Sequence, residues 1–180
     1  MDPIPLTGYV GTALLAFLPL SELRGAIPFA IAQGFPWYAA YIFAAGVNAL
    51  AAPCCWFFLS TVHGQLLRLS ERRGSSAAAL RLCVSLCRQY RAFFDGFVAR
   101  ARKKLQGPVE RWGWLGVALF VAVPLPITGA WTGTLGAWVL GLPKGRTLGA
   151  AALGVCIAGA LVTAALMLGL KTLDLFIKRV

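Results

Sequence analysis

Charge is what this chain has least of. Only 13% of its 180 residues are charged, against 59% hydrophobic, where a soluble domain carries about 25% charged residues. So thin a supply cannot cover a water-facing surface, and with a mean hydropathy of +0.75 the chain reads as an integral membrane protein. Acids are scarcer still: six Asp and Glu in all, beside a single histidine, His63. They form no cluster and no metal-ligand spacing, so the constellation a catalytic site needs is missing. We therefore expect no enzyme, no metal and no cofactor. Alternating ten-residue strand patterns are also absent, which leaves helices to cross lipid. Met1-Asp2-Pro3 lacks a basic n-region, so no signal peptide is expected at the start.

The five cysteines do not suggest disulfides. Cys54, Cys55 and Cys156 lie in apolar runs and read as small buried hydrophobes. Cys83 and Cys87 could share a helix face, but no third ligand lies near enough in sequence to complete a zinc site.

Net charge is +11, and it is unevenly placed. Residues 60–111 hold eleven Lys and Arg against Glu71, Asp95 and Glu110. Positive segments stay on the cytoplasmic side of a bacterial inner membrane, which explains the basicity without a nucleic-acid partner. Within this segment Leu80, Val84, Cys87, Phe94, Val98 and Ala101 recur at helical spacing, with Arg81, Arg88, Arg102 and Lys103 mostly opposite. This is a basic amphipathic helix, suited to the anionic leaflet or the underside of a bundle. It is expected to follow a loop at Arg72-Arg73-Gly74-Ser75-Ser76 and to end at Gln106-Gly107-Pro108.

Against that background one stretch stands out: Pro19-Leu20-Ser21-Glu22-Leu23-Arg24-Gly25-Ala26-Ile27-Pro28. Between Ile4 and Pro53, Glu22 and Arg24 are the only ionisable side chains apart from tyrosines. Charges at bilayer depth are expensive, and they mark function by default. The apolar run before Pro19, residues 7–18, spans only ~18 Å at about 1.5 Å per residue, too short for a ~30 Å hydrocarbon core. A second short run follows, residues 22–32, closed by Gln33-Gly34-Phe35-Pro36. The pattern predicts a re-entrant helical hairpin over 1–35, with a single kinked spanning helix as the alternative. Residues 36–59 are then long enough to cross, opened by interfacial Trp37, Tyr38 and Tyr41. Asn48 is their one strongly polar interior group, either interhelical glue or a contact to the hairpin tip.

The second half repeats this punctuation. Residues 112–143 hold a short run, the broken stretch Pro124-Leu125-Pro126-Ile127-Thr128-Gly129-Ala130-Trp131-Thr132-Gly133-Thr134, and a second short run. Residues 147–170 form a clean span, and residues 171–180 a short amphipathic tail. A shift of 107 sets Pro19 on Pro126, Ser21 on Thr128, Ala30 on Ala137, Gly34 on Gly141 and Pro36 on Pro143. With one crossing between them, the hairpins would enter from opposite faces. The expected fold is thus an all-α integral membrane protein of one domain, 1–180. It is an inverted repeat of hairpin plus transmembrane helix, with the cytoplasmic segment 60–111 between the halves. Paired broken segments of this kind point to a midplane transport site.

Those two motifs together resemble the small multidrug export protein family of bacteria, itself similar to the larger DedA-like group. The resemblance implies two facing hairpins and a transport role in the bacterial cytoplasmic membrane. The DedA-like relation implies, alternatively, a flippase for a polyprenyl phosphate such as undecaprenyl phosphate, or for another anionic lipid, working through acidic and arginine residues in the hairpins. Glu22 and Arg24 match the first such motif, whereas the second carries Thr128, Trp131 and Thr132 and no charge.

The leading expectation is proton-coupled export of a small or drug-like molecule. Glu22 would carry the proton, and Arg24 would neutralise it or hold an anionic group. Ser21, Thr128 and Thr132 would offer hydroxyls, Asn48 an amide and Trp131 a ring. Pro19, Pro28, Pro124, Pro126 and Gly129 would shape breaks whose helix ends offer free backbone groups to substrate. Residues two apart on a regular helix do not face each other, so a Glu22–Arg24 pair needs unwinding or separate partners. The rivals are an ionic lock without transport, a lipid-modifying membrane enzyme, and an assembly factor. Beyond substrate and the lipid bilayer, the expected partner is a second copy in a homodimer.

Overall fold

The computed structural model describes residues 4–63, 65, 78–124 and 128–177. Pro126, the 72–76 loop and residues 178–180 lie outside them. Among the described residues every element is helical. Helices α1 (Leu6–Phe17) and α2 (Glu22–Ala32) are followed by α3 (Trp37–Ala49) and α4 (Ala51–Phe57), which runs on through a wider π turn at Phe58–Val62. Then come α5 (Ala78–Trp112), α6 (Trp114–Ala122), α7 (Ala130–Val139) and α8 (Lys144–Ile177). Among the described residues two stretches are long and apolar enough to cross a membrane, Trp37–Thr61 and Lys144–Gly169.

The short runs before and after each break fold back on each other. Ser21 reaches back to Leu15, Gly11 faces the Phe29 ring, and Gly8 lies against Gln33. Helices α1 and α2 are therefore antiparallel neighbours and not one kinked rod. In the same way Gly133 of α7 lies against Val121 of α6.

The two hairpins also end alike. Gly34 and Gly141 take left-handed φ values of 90° and 74°, which a residue with a Cβ adopts at a cost. Around them Phe35 N–H donates to Ala30 C=O and Leu142 N–H to Ala137 C=O, at 3.1 and 3.0 Å. These are Schellman closures, with glycine at C′. Pro36 and Pro143 follow, and their carbonyls accept from Ala40 and Thr147. Each of these positions is related to its counterpart by the shift of 107.

Small residues make the centre. Ala16, Ala26, Ala44, Ala130, Ala137, Ala150 and Ala151 are fully buried. Helices meeting on Ala and Gly bring their backbones close, which in lipid replaces the hydrophobic drive that water supplies. Large apolar residues such as Leu14, Ile42, Phe57 and Leu161 point outward, as lipid-facing positions should.

Boundaries differ from expectation in two places. Helix α8 is continuous from Lys144 to Ile177, where a span over 147–170 and a separate tail were expected. Helix α5 does not end at Gln106-Gly107-Pro108 but continues to Trp112, with Pro108 inside it. Leu105, fully buried, packs against Gly136 of α7, so tertiary contact holds the helix through the proline. The chain turns instead at Gly113, at φ 58°, whose N–H donates to Val109 C=O.

Candidate functional site

A helix ends with carbonyls that have lost their partners, and in lipid each one left unpaired is costly. The end of α1 is fully accounted for. Leu14 C=O accepts from Leu18 N–H and Leu18 C=O from Glu22 N–H. Between them, Leu15 C=O accepts the Ser21 hydroxyl, Ala16 C=O the Asn48 amide and Phe17 C=O the Trp131 indole N–H, each at 2.6 Å. The first donor belongs to the turn itself, the second to α3, the third to α7. Three separate parts of the chain therefore close one helix end.

The start of α7 is closed in turn by Glu22. Its carboxylate accepts the backbone N–H groups of Ala130 and Trp131, two of the orphan donors of that N-terminus, where the helix dipole favours negative charge. Gly129 permits this. A Cβ there would collide with the carboxylate of Glu22, while its φ of 174° is ordinary extended backbone. The glycine is thus required by the neighbour and not by its own conformation. Glu22 itself has φ 46°, the one non-glycine residue with positive φ among those described. A residue held in that sparsely populated region stores roughly 1–3 kcal/mol of strain, and here the strain places a 7% exposed carboxylate on α7.

Arg24 is half-buried beside it. Its Nη2 donates to Thr128 C=O at 3.4 Å, and its charge acts on Glu22. The two side chains therefore each hold backbone of the second hairpin. Thr128 folds its hydroxyl back onto Val123 C=O at 2.6 Å, much as Ser21 does in the first hairpin.

A cavity of ≈ 10 Å³ lies at this junction, lined by Glu22, Arg24, Asn48 and Thr128 on its polar side and by Val121 and Val155 on the other. That is about the room one water needs. Asn48 is 1% exposed, and its amide orientation is fixed because the nitrogen must face Ala16 C=O; the oxygen, Oδ1, is left without a partner among the described residues. Arg24 and Pro124 also line a wider open groove of ≈ 390 Å³, with Pro28, Leu161, Val162, Ala165 and Leu166, within the range of small-molecule sites.

Of the residues singled out in the sequence, Glu22, Arg24, Asn48, Pro124 and Thr128 line the cavity, and Pro28 lines the groove. Ser21 and Trp131 serve the end of α1, and Gly129 makes room for Glu22. Thr132 is buried within α7, while Pro19 lies in the exposed turn outside both hollows. The helix ends expected to offer free backbone groups are already occupied: the carbonyls of α1 by side chains, the first N–H groups of α7 by Glu22. Sequence reasoning missed the wall from α8, because Leu161, Val162, Ala165 and Leu166 look like any residues of a spanning helix. It also missed Cys55, whose thiol donates to Trp131 C=O at 3.7 Å.

Fold and site together define a helical membrane protein with an ionic site where two helical hairpins touch. A family model described as "Putative small multi-drug export protein" matches residues 22–161, most of the chain from the start of α2 onward, and the protein belongs to that family. No curated protein and no solved structure matched the chain.

Proposed function

We propose that this protein is a multi-pass transporter of the bacterial cytoplasmic membrane that exports a small molecule in exchange for protons. The observation that carries this reading is a buried carboxylate, Glu22, at the contact of two broken hairpins, beside Arg24 and an open groove. Burial opposes the charge on a carboxylate, while a neighbouring guanidinium and a helix N-terminus favour it, and a site that sets these against each other suits a proton carrier. In this reading the hairpins are re-entrant and the halves form an inverted repeat. The matched closures around Gly34 and Gly141, and the turned-back hydroxyls of Ser21 and Thr128, support that symmetry. Substrate would lie in the groove against Pro28, Pro124 and α8, with Arg24 at its polar end.

Reconstituting the purified protein in liposomes tests this directly. An imposed pH gradient should drive uptake or release of at least one compound from a panel of organic cations, neutral drugs and anions. If no compound moves and no proton flux accompanies any of them, the export reading fails.

The groove favours one second reading. It is apolar along α8 and ends on a guanidinium, a shape suited to an acyl or prenyl chain with an anionic head. A flippase for an anionic lipid such as a polyprenyl phosphate would use the same residues. Adding a labelled polyprenyl phosphate to the panel separates the two, and Arg24→Ala should weaken its binding about tenfold or more, as loss of a charged hydrogen-bond donor implies.

A further inference from the structure

Among the described residues that line the cavity, Asn48 is the one buried side chain with an unused polar atom. Its Nδ2 is committed to Ala16 C=O, so Oδ1 can only accept, and among the described residues it has nothing to accept. An unpaired buried acceptor is costly, and here it lines a cavity whose other polar walls are Glu22, Arg24 and Thr128. Arg24 already donates to Thr128 C=O. Ionised, Glu22 can donate nothing; it accepts from Ala130 and Trp131. Once protonated it gains an O–H, and it loses the charge that suited the N-terminus of α7.

We propose that Glu22 has two seats, the N-terminus of α7 when ionised and the Asn48 Oδ1 when protonated, reached directly or through the single water the cavity can hold. Asn48 is then a positioning residue for the proton, and the carboxyl's move uncovers the N–H groups of Ala130 and Trp131. Those two donors, open on the side where Gly129 has no side chain, with Arg24 close by, would receive an oxyanion of substrate. Proton uptake and anion binding are thereby linked at one helix end. Arg24 is the one charged group facing Glu22 among the described residues. Helices α1, α3, α6, α7 and α8 bring no ionisable side chain to the cavity.

This inference rests on Glu22 carrying a proton, as proposed above, but its test needs no transport. Infrared difference spectra of the full chain in lipid, recorded between neutral and acid pH, should show one buried carboxylic C=O band that Glu22→Gln removes. In Asn48→Val that band should move to higher frequency as its hydrogen bond is lost, and its titration midpoint should fall by about one pH unit, a tenfold lower proton affinity. Thr12→Val removes a buried hydrogen bond within α1, from the Thr12 hydroxyl to Gly8 C=O, but leaves Asn48 in place, and should leave band and midpoint unmoved. An unchanged band in Asn48→Val overturns the second seat. An equal shift in Thr12→Val overturns it as well, since it would reflect loosening of α1 alone. If the band behaves as expected but liposomes move nothing, the switch stands and the export reading falls.

Discussion

Glu22 and Gly129 are in such close contact that the carboxylate of one fills the place where the other would carry a Cβ. At a shift of 107 they are also counterparts in the two halves of the sequence. The first half supplies a side chain where the second supplies its absence, and the two hairpins meet through that difference. The carboxylate takes its hydrogen bonds here from backbone and its countercharge from Arg24 of its own hairpin, which is why the second tip needs no charge of its own.

Gly129→Ala should therefore act through Glu22. Adding the methyl drives the carboxylate off Ala130 and Trp131, and we expect a loss of ~2–3 kcal/mol, the usual cost of overpacking together with unpaired buried groups. Gly145→Ala, at a position with open space around it, is the matched control and should be near neutral. Unfolding of both variants in detergent by denaturant titration measures the difference; equal stability would show that the Glu22 seat is not tightly packed.

Glu22→Gln separates folding from proton handling. The amide oxygen can still accept from the start of α7, so stability should change by only about 1 kcal/mol. Proton-driven movement of substrate, by contrast, should drop to background, and what binding remains should no longer vary with pH. Substrate-dependent acidification inside liposomes reads both effects, and a variant that still couples would remove Glu22 from the mechanism.

Trp131 closes Phe17 C=O and also lays its ring edge-on to the Phe17 ring, with centroids 5.3 Å apart. Trp131→Phe keeps an aromatic contact but removes the N–H together with the five-membered ring that carries it. The exposed carbonyl should cost ~1–3 kcal/mol, detectable as a lower unfolding midpoint. Trp131→His, which restores a ring N–H, should recover part of it. No change in either variant would mean the Phe17 carbonyl finds another donor.

The punctuation of this fold was legible in the sequence, because prolines and left-handed glycines announce themselves. Phe17, Glu22, Ala32 and the Gly34 closure fall where the short runs and their breaks place them. Glu22 and Arg24 were legible for another reason: nothing else between Ile4 and Pro53 carries a charge. Their partners were not legible. The N–H groups of Ala130 and Trp131 and the carbonyl of Thr128 belong to the backbone, which every sequence has. The fate of Pro108 also escaped the sequence, since burial of Leu105 against α7, a contact distant along the chain, decides it. The groove along α8 is a property of spacing between helices, and apolar letters do not encode it.

His63 offers the last prediction, just beyond the span that ends at Thr61. It is 7% exposed, its ring 4.1 Å from that of Phe94 and 5.8 Å from that of Trp138, measured between centroids. It therefore joins the end of the first span to α5 and to the second hairpin. Burial pushes its pKa below the ordinary histidine value, and the charge of Asp95 opposes that only in part. An unfolded histidine titrates near ~6.5, so below that pH the unfolded chain takes up more protons than the native one. The stability contributed by the neutral ring is complete above ~6.5 and is lost as pH falls through the lower native value. Asp95→Asn should depress the native value further and bring no gain in stability under acid conditions. Because the chain has a single histidine, one labelled imidazole signal followed against pH gives the native value directly, and a midpoint at or above ~6.5 would show that the ring is not sealed between α5 and α7.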